Sequence, residues 1–144
     1  MKKNKGFTLI ELVMVIVILG ILAAVAMPKY VDMRQEALRA SAKATINSIR
    51  SALAIQYARN ALNGYAVFPT AAQLQATGAA SIFVEGHMPE SPIDGSNMIT
   101  ESSSNPITCS DVDNNPGYLY NASTGDIRYN SNGNDGAGKH WCEY

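Results

Sequence analysis

Leu12 to Met27 reads LVMVIVILGILAAVAM, sixteen consecutive residues with no charged or strongly polar side chain. Such a run has no polar face to give to water, so lipid or other apolar protein must cover it. Removing it leaves 144 − 16 = 128 residues, a polar remainder large enough for one small core. The 47% apolar content of the chain is therefore an average over two unlike parts. A formal net charge of -1, with 11 basic and 12 acidic side chains, excludes a broadly basic nucleic-acid binder. Two cysteines and two histidines leave little for a zinc site. No Gly-rich phosphate loop, GxSxG elbow or nucleophile–base–orienter set is visible. These absences disfavour most enzymes, and no organic cofactor is called for.

The run follows Met1 to Gly6, MKKNKG, with three lysines, and then Phe7-Thr8-Leu9-Ile10-Glu11. A secretory signal peptide also places basic residues before apolar ones, and Ala24 to Ala26 is its best small-x-small cleavage site here. The apolar stretch is longer than the usual signal core, however, and no obvious mature start follows it. Phe7 to Met27 is 21 residues, about 31 Å of helix, the thickness of a bilayer core. With the lysines on one side, the positive-inside rule keeps Met1 to Gly6 cytoplasmic and puts the chain after Pro28 outside. Glu11 is the exception within this segment. A carboxylate there either lies within one turn of the surface and reaches water or has a partner or a function.

Lys5-Gly6-Phe7-Thr8-Leu9-Ile10-Glu11 and the residues through Pro28 resemble the type III signal of type IV pilins and type II secretion pseudopilins. The resemblance covers about a sixth of the chain and implies cutting after Gly6 by a prepilin peptidase and N-methylation of Phe7. Glu11 would be the fifth residue of the mature protein and Pro28 its twenty-second, where the family commonly carries a helix-bending proline. The organisation implied is a cleaved leader at 1–6, a transmembrane and filament-core helix at 7–28, and an extracytoplasmic domain at 29–144. Partners implied are copies of the same chain, the peptidase, and an inner-membrane assembly platform with its ATPase. The location implied is a single pass through the inner membrane before assembly and an extracellular pilus, or alternatively a periplasmic pseudopilus, afterwards.

Loss of the leader would remove Lys2, Lys3 and Lys5, leaving 8 basic against 12 acidic side chains, and would create an amine at Phe7. Where apolar helices stack away from water, that amine and the Glu11 carboxylate can neutralise one another, whereas an unpaired Glu11 would be costly. Only the correct axial offset between neighbours brings the two together, so the pairing would fix register.

Beyond Pro28, Leu38, Ala42, Ile46, Ile49, Leu53 and Tyr57 are spaced 4, 4, 3, 4 and 4, one stripe of a helix. This predicts an amphipathic helix over 29–63, closed by Asn63-Gly64. Pro28 removes one hydrogen bond and Gly20 weakens the helix eight residues earlier, so a kink is expected between or at them.

After Tyr65, proline and glycine become frequent. Thr70 to Ala76 predicts a short helix with Thr70 and Gln73 as a capping box. Tyr118 to Tyr120 and Asp126 to Tyr129, around Asn121, Ser123 and Gly125, predict an antiparallel hairpin. That stretch is similar to the Gly-aromatic-x-Tyr-Asn…Thr-Gly hairpin of the pilin superfamily. The fold class expected is α+β: a long N-terminal helix packed on a small antiparallel sheet of three or four strands, with a disulfide-closed C-terminal region. Cys109 and Cys142, the only cysteines, would pair outside the cytoplasm. The bridge resembles that of many pilins and is generally missing from major pseudopilins.

Asn130 to His140, NSNGNDGAGKH, is rich in oxygen donors and glycine. Asp135 with Asn132 and Asn134 could hold calcium, as the corresponding loop does in major pseudopilins. Asp111 and Asp113 would contribute only if the disulfide brought them near. A turn-rich surface loop is the alternative. Trp141 is expected on the sheet. Asn121-Ala122-Ser123 matches a glycosylation sequon by chance. The leading function is a structural pilin; a pseudopilin is the runner-up, and a membrane-tethered enzyme or binding module is the option from another class.

Overall fold

The computed structural model describes residues 6–144. They divide into two compact units at Glu36/Ala37.

The first unit is the opening part of α1, the helix Leu9–Leu62. Its residues through Arg34 are all exposed. The helix continues unbroken through Gly20 and Pro28, although Pro28 has no N–H to give to the carbonyl four residues back.

In the second unit, the stripe spaced at helical intervals is the buried face: Ala42, Ile46, Ile49 and Leu53 are all at or below 2% exposure. Burial of each large aliphatic side chain stabilises by about 2 kcal/mol. Leu38 packs at the edge of this core, and the Tyr57 ring stacks on Phe68 with centroids 4.5 Å apart. Gly64 ends the helix at φ +87°. The amides of Gly64 and Tyr65 bond the carbonyls of Ala61 (3.0 Å) and Asn60 (2.9 Å), both otherwise left over at a helix end.

The short helix α2, Ala71–Leu74, has the expected capping box between Thr70 and Gln73. It is shorter than the predicted 70–76, because Thr77 is already extended and Gly78 follows at φ +65°. Three strands follow: β1 Ile99–Glu101, β2 Tyr118–Asn121 and β3 Asp126–Tyr129. Strands β2 and β3 form the expected antiparallel hairpin, with Tyr118 opposite Tyr129 and Asn121 opposite Asp126.

The expectation of a wholly antiparallel sheet is corrected here. β1 pairs with β2 in parallel, Ile99 against Tyr118, so the sheet is mixed. The reason is the connection: residues 102–117 separate the two strands, and a crossover of that length can return the chain to run in the same direction, which a tight turn cannot.

Every residue of β2 is buried. On the face toward α1, Tyr118 and Tyr129 stack at 5.3 Å and join Tyr120 and Ile127 in one core with Ile46, Ile49 and Leu53. Each tyrosine hydroxyl donates to a carbonyl outside the sheet: Tyr129 to Ala42 of α1 (2.8 Å), Tyr120 to Pro69 (2.7 Å) and Tyr118 to Pro89 (3.2 Å). Burial raises the phenol of Tyr120 to about 12 and pushes those of Tyr118 and Tyr129 well above the ordinary range.

Candidate functional site

Thr8 and Glu11 stand at the start of α1, three residues apart, and form a reciprocal cap. The Glu11 amide donates to Thr8 Oγ1 (3.3 Å), while Glu11 Oε2 accepts from the Thr8 amide and hydroxyl, both at 2.8 Å. This is the capping-box arrangement. It also places a negative charge at the positive end of the helix dipole. Glu11 Oε1 makes no hydrogen bond among the described residues. The carboxylate is thus oriented by its own chain yet keeps one oxygen for another donor.

Downstream of this cap, the large apolar side chains face outward. Phe7 is 84% exposed, and even the least exposed of those from Phe7 to Met27, Val13, is 38% exposed. By length and composition α1 is able to cross a membrane, and the apolar window within it buries nothing against the rest of the chain. A soluble domain does not leave a continuous surface of this size uncovered.

The two glycines of this unit fit the same picture. A Cβ at Gly6 or Gly20 would meet nothing within 4 Å, and neither residue has a positive φ. Glycine within a helix costs about 1 kcal/mol relative to alanine, and inside this chain Gly20 recovers none of it through close packing. Among the described residues, neither close packing nor a positive φ requires glycine at these two positions. Residues 1–27 match the family model described as the prokaryotic N-terminal methylation motif.

The N-terminal segment is similar to that of type IV pilins.

Among proteins similar to this chain is the type IV narrow pilus major component PilA5 of Thermus thermophilus, 57% identical over 53 residues, or 37% of this chain and 46% of that protein. The type IV major pilin protein PilA of Myxococcus xanthus is 40% identical over 50 residues, or 35% of this chain and 23% of that one. A fimbrial protein of Pseudomonas aeruginosa is 44% identical over 52 residues, 36% and 34% of the respective chains. The chain therefore spans less than half the length of each of these pilins. No solved structure matches it.

The remainder of the chain carries the other candidate residues. Cys109 and Cys142 form a disulfide with Cα atoms 5.4 Å apart, closing a separation of 33 residues. Asp135 is buried within the 130–140 loop. Its Oδ2 accepts from the Tyr144 hydroxyl (2.6 Å) and lies 3.3 Å from Arg39 Nε, while Oδ1 accepts from the amides of Ala137 (2.8 Å) and Lys139 (3.1 Å). The Tyr144 hydroxyl is the largest influence holding this carboxyl below the usual range; the two amides and Arg39 add to it. The same bond raises the Tyr144 phenol.

This donor set does not suit calcium. Both Asp135 oxygens already accept from N–H and O–H donors, whereas calcium draws on six to eight oxygen ligands with carboxylates turned toward it. The Asn132 carbonyl is bonded to His140 Nδ1 (2.8 Å), and Asn134 pairs with His140 in an isolated antiparallel bridge. Asp111 is occupied by Ser104 and Thr108, and Asp113 by Asn115 and Asn130. These bonds hold both carboxyls below the usual range. Among the described residues, no three His, Cys, Asp or Glu side chains gather where they could hold a metal.

Trp141 is buried in the core, as expected, beside Tyr144. Asn121 of the sequon is buried; its amide donates to the Ser104 carbonyl (2.7 Å) and its Oδ1 accepts from Ser123 (2.8 Å). Sequence reasoning missed Arg39, Arg50 and Tyr144. Arg50 Nη2 donates to the carbonyls of Ile127 (3.0 Å) and Tyr144, fastening α1 to β3 and to the C-terminal segment. Its position directly after buried Ile49 was the available signal.

Proposed function

We propose that this chain is a structural subunit of a type IV pilus, stored in the membrane by its apolar helix and then assembled into a filament. The observation that carries the reading is the combination at one helix start: a methylation motif, a continuous uncovered apolar surface, and one oriented carboxylate with an oxygen to spare. A prepilin peptidase cuts after Gly6 and methylates Phe7. An inner-membrane platform and its ATPase then move the subunit from lipid into the growing fibre, and from there to the cell exterior.

In the fibre, Glu11 accepts from the Phe7 amine of a neighbour, and the capping box determines where the carboxylate waits. In an apolar surrounding, loss of either partner leaves a charge uncompensated, which costs several kcal/mol. Glycine at position 20 and proline at 28 shape how closely helices approach and where they bend.

The test is fibre formation by Glu11→Val. The variant is expected to insert and to be cleaved normally while yielding no sheared fibres visible by electron microscopy. Normal fibres from it would overturn the role given to Glu11.

A pseudopilin of a type II secretion system is the second reading, favoured by the shared N-terminal motif. The disulfide supports the pilin over it, since major pseudopilins generally lack one. Abundant long fibres support the pilin; their absence together with lost protein export supports the pseudopilin.

A further inference from the structure

The geometry points to a groove on the Ala37–Tyr144 unit that seats residues 29–34 of a second copy of this chain. This rests on the filament reading and specifies one contact within it.

The groove, about 790 Å³, runs along α1 from Ala44 to Arg59 and is walled on its other side by the loop from Ile82 to Pro89. Ala44, Ser48 and Ala52 line it at four-residue intervals, one face of the helix. Small side chains at that spacing let a second helix approach closely. Apolar surface flanks them: Ile55 is 56% exposed, and Val84 is fully exposed. Glu85 stands in the same wall, exposed and without an ion pair among the described residues, where the pairs are Arg39–Asp135 and Arg128–Asp126.

Residues 29–34, KYVDMR, lie within α1 and are exposed throughout. At about 100° per residue, Lys29, Tyr30, Met33 and Arg34 share one face of about 140°. Tyr30 and Met33 are 75% and 69% exposed at its centre, with cations on both edges. This is an apolar face with basic edges, matched to an apolar groove with an acidic wall. Two features select this occupant over the apolar run 12–27 of a second copy: that run has no cation to meet Glu85, and it has no aromatic anchor. Arg59, in the last turn of α1, lies at one end of the groove. Asp32, about 60° beyond Lys29 around the helix, borders this face and offers the opposite sign.

The experiment uses full-length chain in cells. Glu85→Lys and Arg34→Glu are each expected to lower sheared-fibre yield at least fivefold with membrane levels of processed subunit unchanged, and the double variant to recover to within twofold of wild type. In parallel, Met33→Cys with Ile55→Cys is expected to give disulfide-linked dimers in membranes and fibres under mild oxidation, and neither single variant to do so. Single charge variants that assemble like wild type, or a double variant no better than the singles, would overturn the contact, as would absence of the linked dimer. If wild type makes no fibres yet the linked dimer forms in membranes, the pilus reading fails and the docking contact stands. If fibres form without cross-link or charge rescue, the reverse holds.

Discussion

At the residue scale, individual hydroxyls and carboxylates hold the second unit together. Tyr129 reaches the Ala42 carbonyl on α1 from β3 at 2.8 Å. Tyr129→Phe keeps the ring and removes only that bond. A loss of about 1 kcal/mol is expected, read by denaturant unfolding of the detergent-solubilised chain. The elevated phenols of Tyr118, Tyr120 and Tyr129 also give a direction with pH. A folded-state pKa above the unfolded one means that the native state retains its proton where the unfolded chain has lost it. Stability from these groups is complete below about pH 10, the unfolded phenol value, and falls as pH rises toward the folded value, about 12 for Tyr120. Thermal midpoints are expected to be level up to pH 9 and to drop steeply from pH 10 to 12. Tyr129→Phe should soften the drop. The lowered Asp135 gives the opposite limb: its contribution is present above the ordinary carboxylate range and is lost as pH falls below about 4.

At the scale of elements, the β2–β3 turn fixes how the sheet meets the end of α1. Gly125 sits at φ +73°, and a Cβ there would come 2.4 Å from the Phe68 ring, which itself stacks on Tyr57. Gly125→Ala is expected to cost about 2 kcal/mol or more, from backbone strain and overpacking together. Gly138, at φ +90° with nothing within 4 Å, carries strain alone. Gly138→Ala should therefore cost about 1 kcal/mol, and the two midpoints compared by denaturant unfolding separate the effects.

Elements governed by local chemistry were legible in the sequence. The stripe from Leu38 to Tyr57, the Gly64 terminator, the Thr70–Gln73 cap and the Tyr118–Tyr129 hairpin are each set by residues a few positions apart. β1 was not legible. Three residues long, it depends on a partner reached through residues 102–117, and nothing local in Ile99–Glu101 determines that it runs parallel to β2. Arg39 and Arg50 were missed for a related reason. Their partners, Asp135, Ile127 and Tyr144, lie 77 or more positions along the chain. At the N-terminus the capping-box spacing of Thr8-Leu9-Ile10-Glu11 coincides with the processing motif, so the same residues carry two signals.

At the scale of the whole molecule, the chain combines one unit that buries almost nothing with another whose core is complete, and in the proposed filament the first is covered by other copies. Within the second, closing the separation of 33 residues through Cys109–Cys142 is worth roughly 3.7 kcal/mol in the chain-entropy model. Reduction is expected to lower stability by up to about that amount and to raise amide exchange first in residues 130–144. Added calcium should leave the melting temperature unchanged, because the Asp135 oxygens already serve Tyr144, Arg39 and two backbone amides. The central claim is that a processed chain exchanges lipid for copies of itself, and it is tested most directly by the mass of the N-terminal peptide of protein sheared from the cell surface. The account predicts a peptide that begins at Phe7 and is one methyl group heavier than its sequence, recovered from fibres. A peptide that still begins at Met1, from protein functioning as single molecules, would contradict it.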